Sequence, residues 1–137
     1  MSSPLLPTVA LVDDNDPLGI CIVVDAALRD EGYKVVPFVS GDDALTYANA
    51  CVNPVVLFLG RLQAYARLRP RLELEVPPGH DRIRVILATG DPTVPPLPGI
   101  IVLWKPFDLD ALFEAVAEAE SPAFRLRGWQ RQLGRPF

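Results

Sequence analysis

Histidine, cysteine and mid-chain aspartate are scarce in this sequence, and each scarcity excludes something. The one histidine, His80, sits between Gly79 and Asp81. Zinc needs three or four ligands and nothing beside His80 supplies them, so it reads as a loop residue. The two cysteines, Cys21 and Cys51, show no CxxC spacing and read as buried thiols rather than a redox pair. There is no Gly-rich phosphate loop and no Ser-His-Asp set, which leaves an enzymatic reading without support. No apolar run approaches the roughly 20 residues that cross a bilayer. The opening "MSSPLLPTVALVDD" lacks the basic region and long apolar stretch of a signal peptide. The expected protein is therefore cytoplasmic, without a membrane partner. Finally, no aspartate lies between residues 44 and 80.

What is present is a chain of 137 residues, half of them apolar and 22% charged, which suits one domain around a single core. "TVALV" (8–12) reads as a buried strand. A helix is expected from Asp16, with Pro17 in its first turn and Gly32 just past its end. Ile20, Val23, Val24, Ala27 and Leu28 form its apolar stripe, and Leu18, Cys21 and Ile22 widen that surface toward a partner. "KVVPFV" (34–39) is a second strand, placed at a sheet edge because Pro37 cannot donate to a ladder. Ser40 is placed to cap a helix over 41–51, with Asp42 and Asp43 in its first turn. "VVLFLG" is apolar at every position before Gly60, as strands covered on both faces are, and "RVILATG" and "IIVLW" repeat that character. A last helix begins near Asp108, with Leu109, Leu112, Phe113 and Val116 at helical spacing. The alternation predicts an α/β fold, a doubly wound five-stranded parallel sheet in the order 2-1-3-4-5.

Two regions break the pattern. Pro70 falls inside "AYARLRPRLELE" and predicts a kinked or split helix. "DPTVPPLPG" (91–99) holds Pro92, Pro95, Pro96 and Pro98, so a Pro-rich loop is expected where a fourth crossover helix would lie. Such a loop loses little entropy on binding and could present Val94 and Leu97 to a partner. Charge is uneven as well. Residues 121–137 carry Arg125, Arg127, Arg131 and Arg135 and no acid, leaving nine basic against seventeen acidic residues in the body. The division expected is a domain over 1–120 and a solvated basic tail over 121–137. The acidic body argues against nucleic acid as a partner of the domain itself.

In such sheets ligands bind outside the carboxyl ends of the strands. Those ends carry Asp13 and Asp14, then Gly60, Thr89 and Lys105. Carboxylates, a hydroxyl and an ammonium on one edge suit a hard divalent cation and a phosphoryl group. "ALVDDND", "ATG" and "WKPFDLDAL" resemble the receiver domain of two-component response regulators over about residues 7–120. The proline-rich segment after "ATG" further resembles the receiver subfamily in which the fourth helix is reduced.

That resemblance implies that Asp13 and Asp14 bind magnesium, that Thr89 senses a phosphoryl group and that Lys105 pairs with it. It also implies that the first helix docks a histidine kinase. The phosphate acceptor it requires is an aspartate ending the third strand. Here that position is Gly60, or Leu59 if the register is set on "RL" (61–62). Neither forms an acyl phosphate, and the lost carboxylate weakens the magnesium site too. In place of the aromatic residue often found three before the lysine stands Val102.

The leading expectation is thus a stand-alone pseudo-receiver, not an enzyme and with no certain cofactor. It works by protein contacts with a histidine kinase or another signalling protein, and a homodimer is compatible with it. Two alternatives stay open: a phosphorelay receiver modified at Asp14 or Asp91, and a ligand-binding domain or enzyme on the same scaffold.

Overall fold

Apolar strands alternate with one-sided helices along the chain, and the computed structural model describes residues 8–12, 20–76, 82–91, 100–120 and 131–133. The strands are β1 (Thr8–Val12), β2 (Lys34–Phe38), β3 (Val55–Leu59), β4 (Ile83–Thr89), β5 (Ile100–Trp104) and β6 (Arg131–Leu133). The helices are α1 (Ile20–Asp30), α2 (Gly41–Ala50), α3 (Leu62–Glu75) and α4 (Leu109–Glu120). The sheet order is β2-β1-β3-β4-β5-β6, and every pairing is parallel. The first five strands follow the expected 2-1-3-4-5 order. β2 is an edge strand, and Pro37 stands opposite Leu11 there with no second neighbour to lose a bond to. β6 was not expected: three residues of the basic tail, anticipated as solvated, pair with Ile101–Leu103.

Strand alternation divides the interior into two layers. On one face Val12, Leu57, Leu59, Leu87 and Val102 pack with Leu45 of α2 and Leu68 and Leu72 of α3. On the other, Leu11, Phe58, Ile86 and Leu103 pack with Cys21, Val24 and Leu28 of α1 and Leu112 and Val116 of α4. β3, β4 and β5 are buried at every position, which explains their apolar sequence, broken only by Arg84 and Thr89 in β4. Each fully buried Leu, Ile or Phe contributes about 1.5–3 kcal/mol of transfer free energy.

The helix boundaries follow local chemistry. Ser40 Oγ accepts the N–H groups of Asp42 (3.1 Å) and Asp43 (3.4 Å), fixing the start of α2. Gly32, at φ 96°, turns the chain out of α1, and the Tyr33 N–H closes on the Leu28 carbonyl at 3.0 Å. Asp108 Oδ1 accepts the Ala111 N–H at 2.8 Å at the head of α4. Pro70 neither splits nor ends α3, which runs through it from Leu62 to Glu75. Proline deprives the Ala66 carbonyl of its donor, but both Ala66 and Pro70 lie on the exposed side of the helix, where a lost bond costs least. The buried side of the helix, Tyr65, Leu68 and Leu72, is left whole. The Pro-rich loop expected between β4 and β5 lies, over 92–99, outside the described residues.

Candidate functional site

The parallel register brings the carboxyl ends of β1, β3, β4 and β5 to one edge. Val12 stands beside Leu59, and Thr89 beside Trp104. The residues that follow, Gly60, Gly90 and Lys105, therefore meet across a short distance. The Lys105 N–H donates to the Thr89 carbonyl at 2.9 Å, fixing the exit of β5, and the Lys105–Pro106 bond is cis. The Lys105 ammonium reaches across the edge and donates to the Gly60 carbonyl at 2.7 Å.

Thr89 is buried at 3% exposure, and its Oγ1 accepts the Asp91 N–H at 3.1 Å. A shallow cleft of about 290 Å³ opens over this edge, lined by Arg61, Gln63, Thr89, Gly90, Asp91 and Lys105 among others. Arg61 sits at the head of α3, where its guanidinium donates to Gln63 Oε1 at 3.1 Å. At the end of β5 the buried indole N–H of Trp104 has no acceptor among the described residues.

Gly60, Thr89 and Lys105 are thus brought together as the strand ends imply. Leu59 is not part of the site: its side chain is fully buried with Leu57 and Leu87 in the layer under α2 and α3. Asp91 lies half-buried on the rim of the cleft. Asp13, Asp14, Leu18, Val94 and Leu97 lie outside the described residues.

The α1 surface needs a correction. Cys21, expected to face a partner, is 4% exposed, and its Sγ lies 3.6 Å from the Val12 carbonyl oxygen. A helix turns about 100° per residue, so Cys21, Val24 and Leu28 share the inner side. That places Ile22 (70% exposed) and Val23 (59%) outside, and Val23 leaves the buried stripe it was assigned to.

The described residues do not suit a magnesium ion. Hard cations are held by several charged oxygens. Here Gly60 offers only a carbonyl, already bonded to an ammonium. Among the described residues no group of three or more His, Cys, Asp or Glu lies together to hold a metal. No helix among the described residues is long and apolar enough to cross a membrane.

The order and direction of the first five strands match the fold of solved response-regulator receiver domains. A CheY-like receiver domain protein from Methanospirillum hungatei JF-1 superposes with a TM-score of 0.60 at 20% identity, over 90% of this chain and 99% of that one. The signal receiver domain of an HD domain-containing protein from Pseudomonas fluorescens Pf-5 gives 0.61 at 22% identity, over 88% and 90%. The chemotaxis response regulator CheY4 of Vibrio cholerae gives 0.54 at 19%, over 83% and 98%. No family model and no curated protein matches the chain.

Proposed function

We propose that this chain is a receiver-fold signalling module of a two-component system that acts through protein contacts without aspartyl phosphorylation. The observation that carries the reading is Gly60. It follows β3 directly, where a receiver requires its acceptor aspartate, and its carbonyl holds the ammonium that would otherwise face a phosphoryl group. Position 60 has no nucleophile, and the lysine already has a neutral partner. Thr89 and Lys105 then hold the strand ends together rather than sense a covalent modification. Asp13 and Asp14 are left without the third carboxylate of a magnesium site.

Contact with a histidine kinase or another signalling protein is assigned to the outer side of α1. Ile22 and Val23 stand there exposed and adjacent, and nothing in the described residues covers them. Domain limits of 1–120 and 121–137 are kept, with the tail contributing β6 to the sheet.

Incubation with acetyl phosphate and magnesium, followed by intact mass measurement, tests the reading. The expected spectrum shows the unmodified chain alone. A gain of one phosphoryl group would overturn the proposal and return the chain to the phosphorelay reading, with Asp14 or Asp91 as acceptor.

A further inference from the structure

Position 60 is held as glycine by space and not by backbone conformation. Gly60 does not lie in the left-handed region, so an L side chain there meets no torsional penalty. Gly41 and Gly90 would each accept a Cβ at 3.4 Å or more from their neighbours. At Gly60 the added carbon would lie 3.0 Å from Cys21 Sγ and 3.5 Å from the Val12 carbonyl oxygen. Carbon contacts settle at about 3.5–4.0 Å, and sulfur is larger than carbon. Gly60 is itself buried, so the new atom cannot turn to solvent.

Cys21 has little freedom to yield. It has one side-chain torsion, and helical backbone disfavours one of its three wells. It belongs to the same buried stripe as Val24 and Leu28, each at 1% exposure or less, so α1 cannot shift outward without unpacking them. Its Sγ also rests near the Val12 carbonyl at 3.6 Å.

We propose that Cys21 crowds position 60, so that any side chain there, aspartate included, must push its sulfur aside. Its sulfur stands a few tenths of an ångström too close to where the first carbon of an acceptor would lie. The functional sense of this closure rests on the reading of Gly60 given above; the steric coupling does not. On this view the packing of α1 resists an acceptor at position 60, and Gly60→Asp alone places its first side-chain carbon against a thiol that must shift.

The test is a thermal-denaturation cycle on the full chain with Cys21→Ala, Gly60→Ala and the double variant. Gly60→Ala is expected to lower Tm by several degrees in the wild-type background. In the Cys21→Ala background the same change fills the space just vacated, so the double variant melts at or above Cys21→Ala. Cys21→Ser, whose oxygen is smaller and lies nearer its own Cβ than the sulfur does, brings back only part of the penalty. An equal Tm drop for Gly60→Ala in all three backgrounds would overturn the proposal. If Gly60→Ala does not fold, recovery of a cooperative transition in the double variant supports it, and no recovery rejects it. Phosphoryl gain by the wild-type chain would remove the functional reading while leaving this coupling as measured.

Discussion

Lys105 ties two strand ends together at the candidate site. Its ammonium donates to a main-chain carbonyl at 2.7 Å, joining the end of β5 to the turn after β3. A hydrogen bond from a charged donor contributes more than a neutral one, about 1.5–3 kcal/mol, and part of that is lost to solvent because the side chain is only half-buried. Lys105→Met keeps the stem and removes the donors, and should lower unfolding free energy in urea by about 1 kcal/mol. An unchanged midpoint would show that the ammonium does not brace the edge. Gly60, Thr89 and Lys105 were legible in the sequence because each follows or ends an apolar strand, and strand ends converge in a parallel sheet. The inward turn of Cys21 was not legible. The run Ile20–Val24 is apolar at every position, so its composition does not say which side meets the sheet. Only the docking of α1 separates Cys21 from Ile22 and Val23.

Between elements, α2 and α3 are clamped by a residue that sequence pattern gave no reason to single out. The Arg71 guanidinium, on α3, donates to the Asp42 carbonyl at 3.1 Å, Asp42 Oδ1 at 3.2 Å and Thr46 Oγ1 at 3.3 Å, all on α2. It also holds Glu75 at 2.8 and 3.0 Å, and Glu75 in turn accepts from Asn49 of α2 at 2.6 Å. Helical spacing shows the Arg71–Glu75 pair in the sequence, but not its reach across to α2, which depends on how the two helices lie on the sheet. The Arg71 hydrogen bond outweighs desolvation and, with the Arg71 charge and the bond from Asn49, holds the Glu75 carboxyl below its ordinary 4.5. A depressed carboxyl pKa stabilises the fold above the unfolded value, and that contribution disappears as pH falls through the folded value. Arg71→Ala should therefore lower the urea midpoint near neutral pH, since several bonds go, though modestly because the group is a third exposed. The gap between wild type and variant in urea midpoints should narrow as pH drops below 4.5. A gap that stays constant with pH would mean that Arg71 acts through its stem alone. Pro70, one residue earlier, shows the converse error of pattern reading. Its breaker chemistry is real, but it falls on the wet side of α3, where a lost bond costs least.

For the molecule as a whole, the consequential feature is the way the sheet ends. β5 is Ile-Ile-Val-Leu-Trp, wholly buried, and without β6 it would be the terminal strand. An unpaired apolar edge is a template for another chain, and proteins cover, charge or shorten such edges. Here Arg131–Leu133 does the covering, in register with Ile101–Leu103. Composition concealed this role, because a segment with four arginines and no acid reads as solvated, and three residues are too few to show a strand period. Deleting residues 121–137 should leave both core layers and a cooperative thermal transition, since the described members of those layers all precede residue 121. It should also open the β5 edge, giving concentration-dependent self-association by light scattering where the full chain does not respond to the same dilution. Charge works against that outcome: losing four arginines takes the net charge from -4 to -8, and like-charged bodies repel. Association of the truncated chain despite that repulsion would point to edge pairing. A truncated chain that stays monomeric through the same concentration range would show that β6 is not what shields β5.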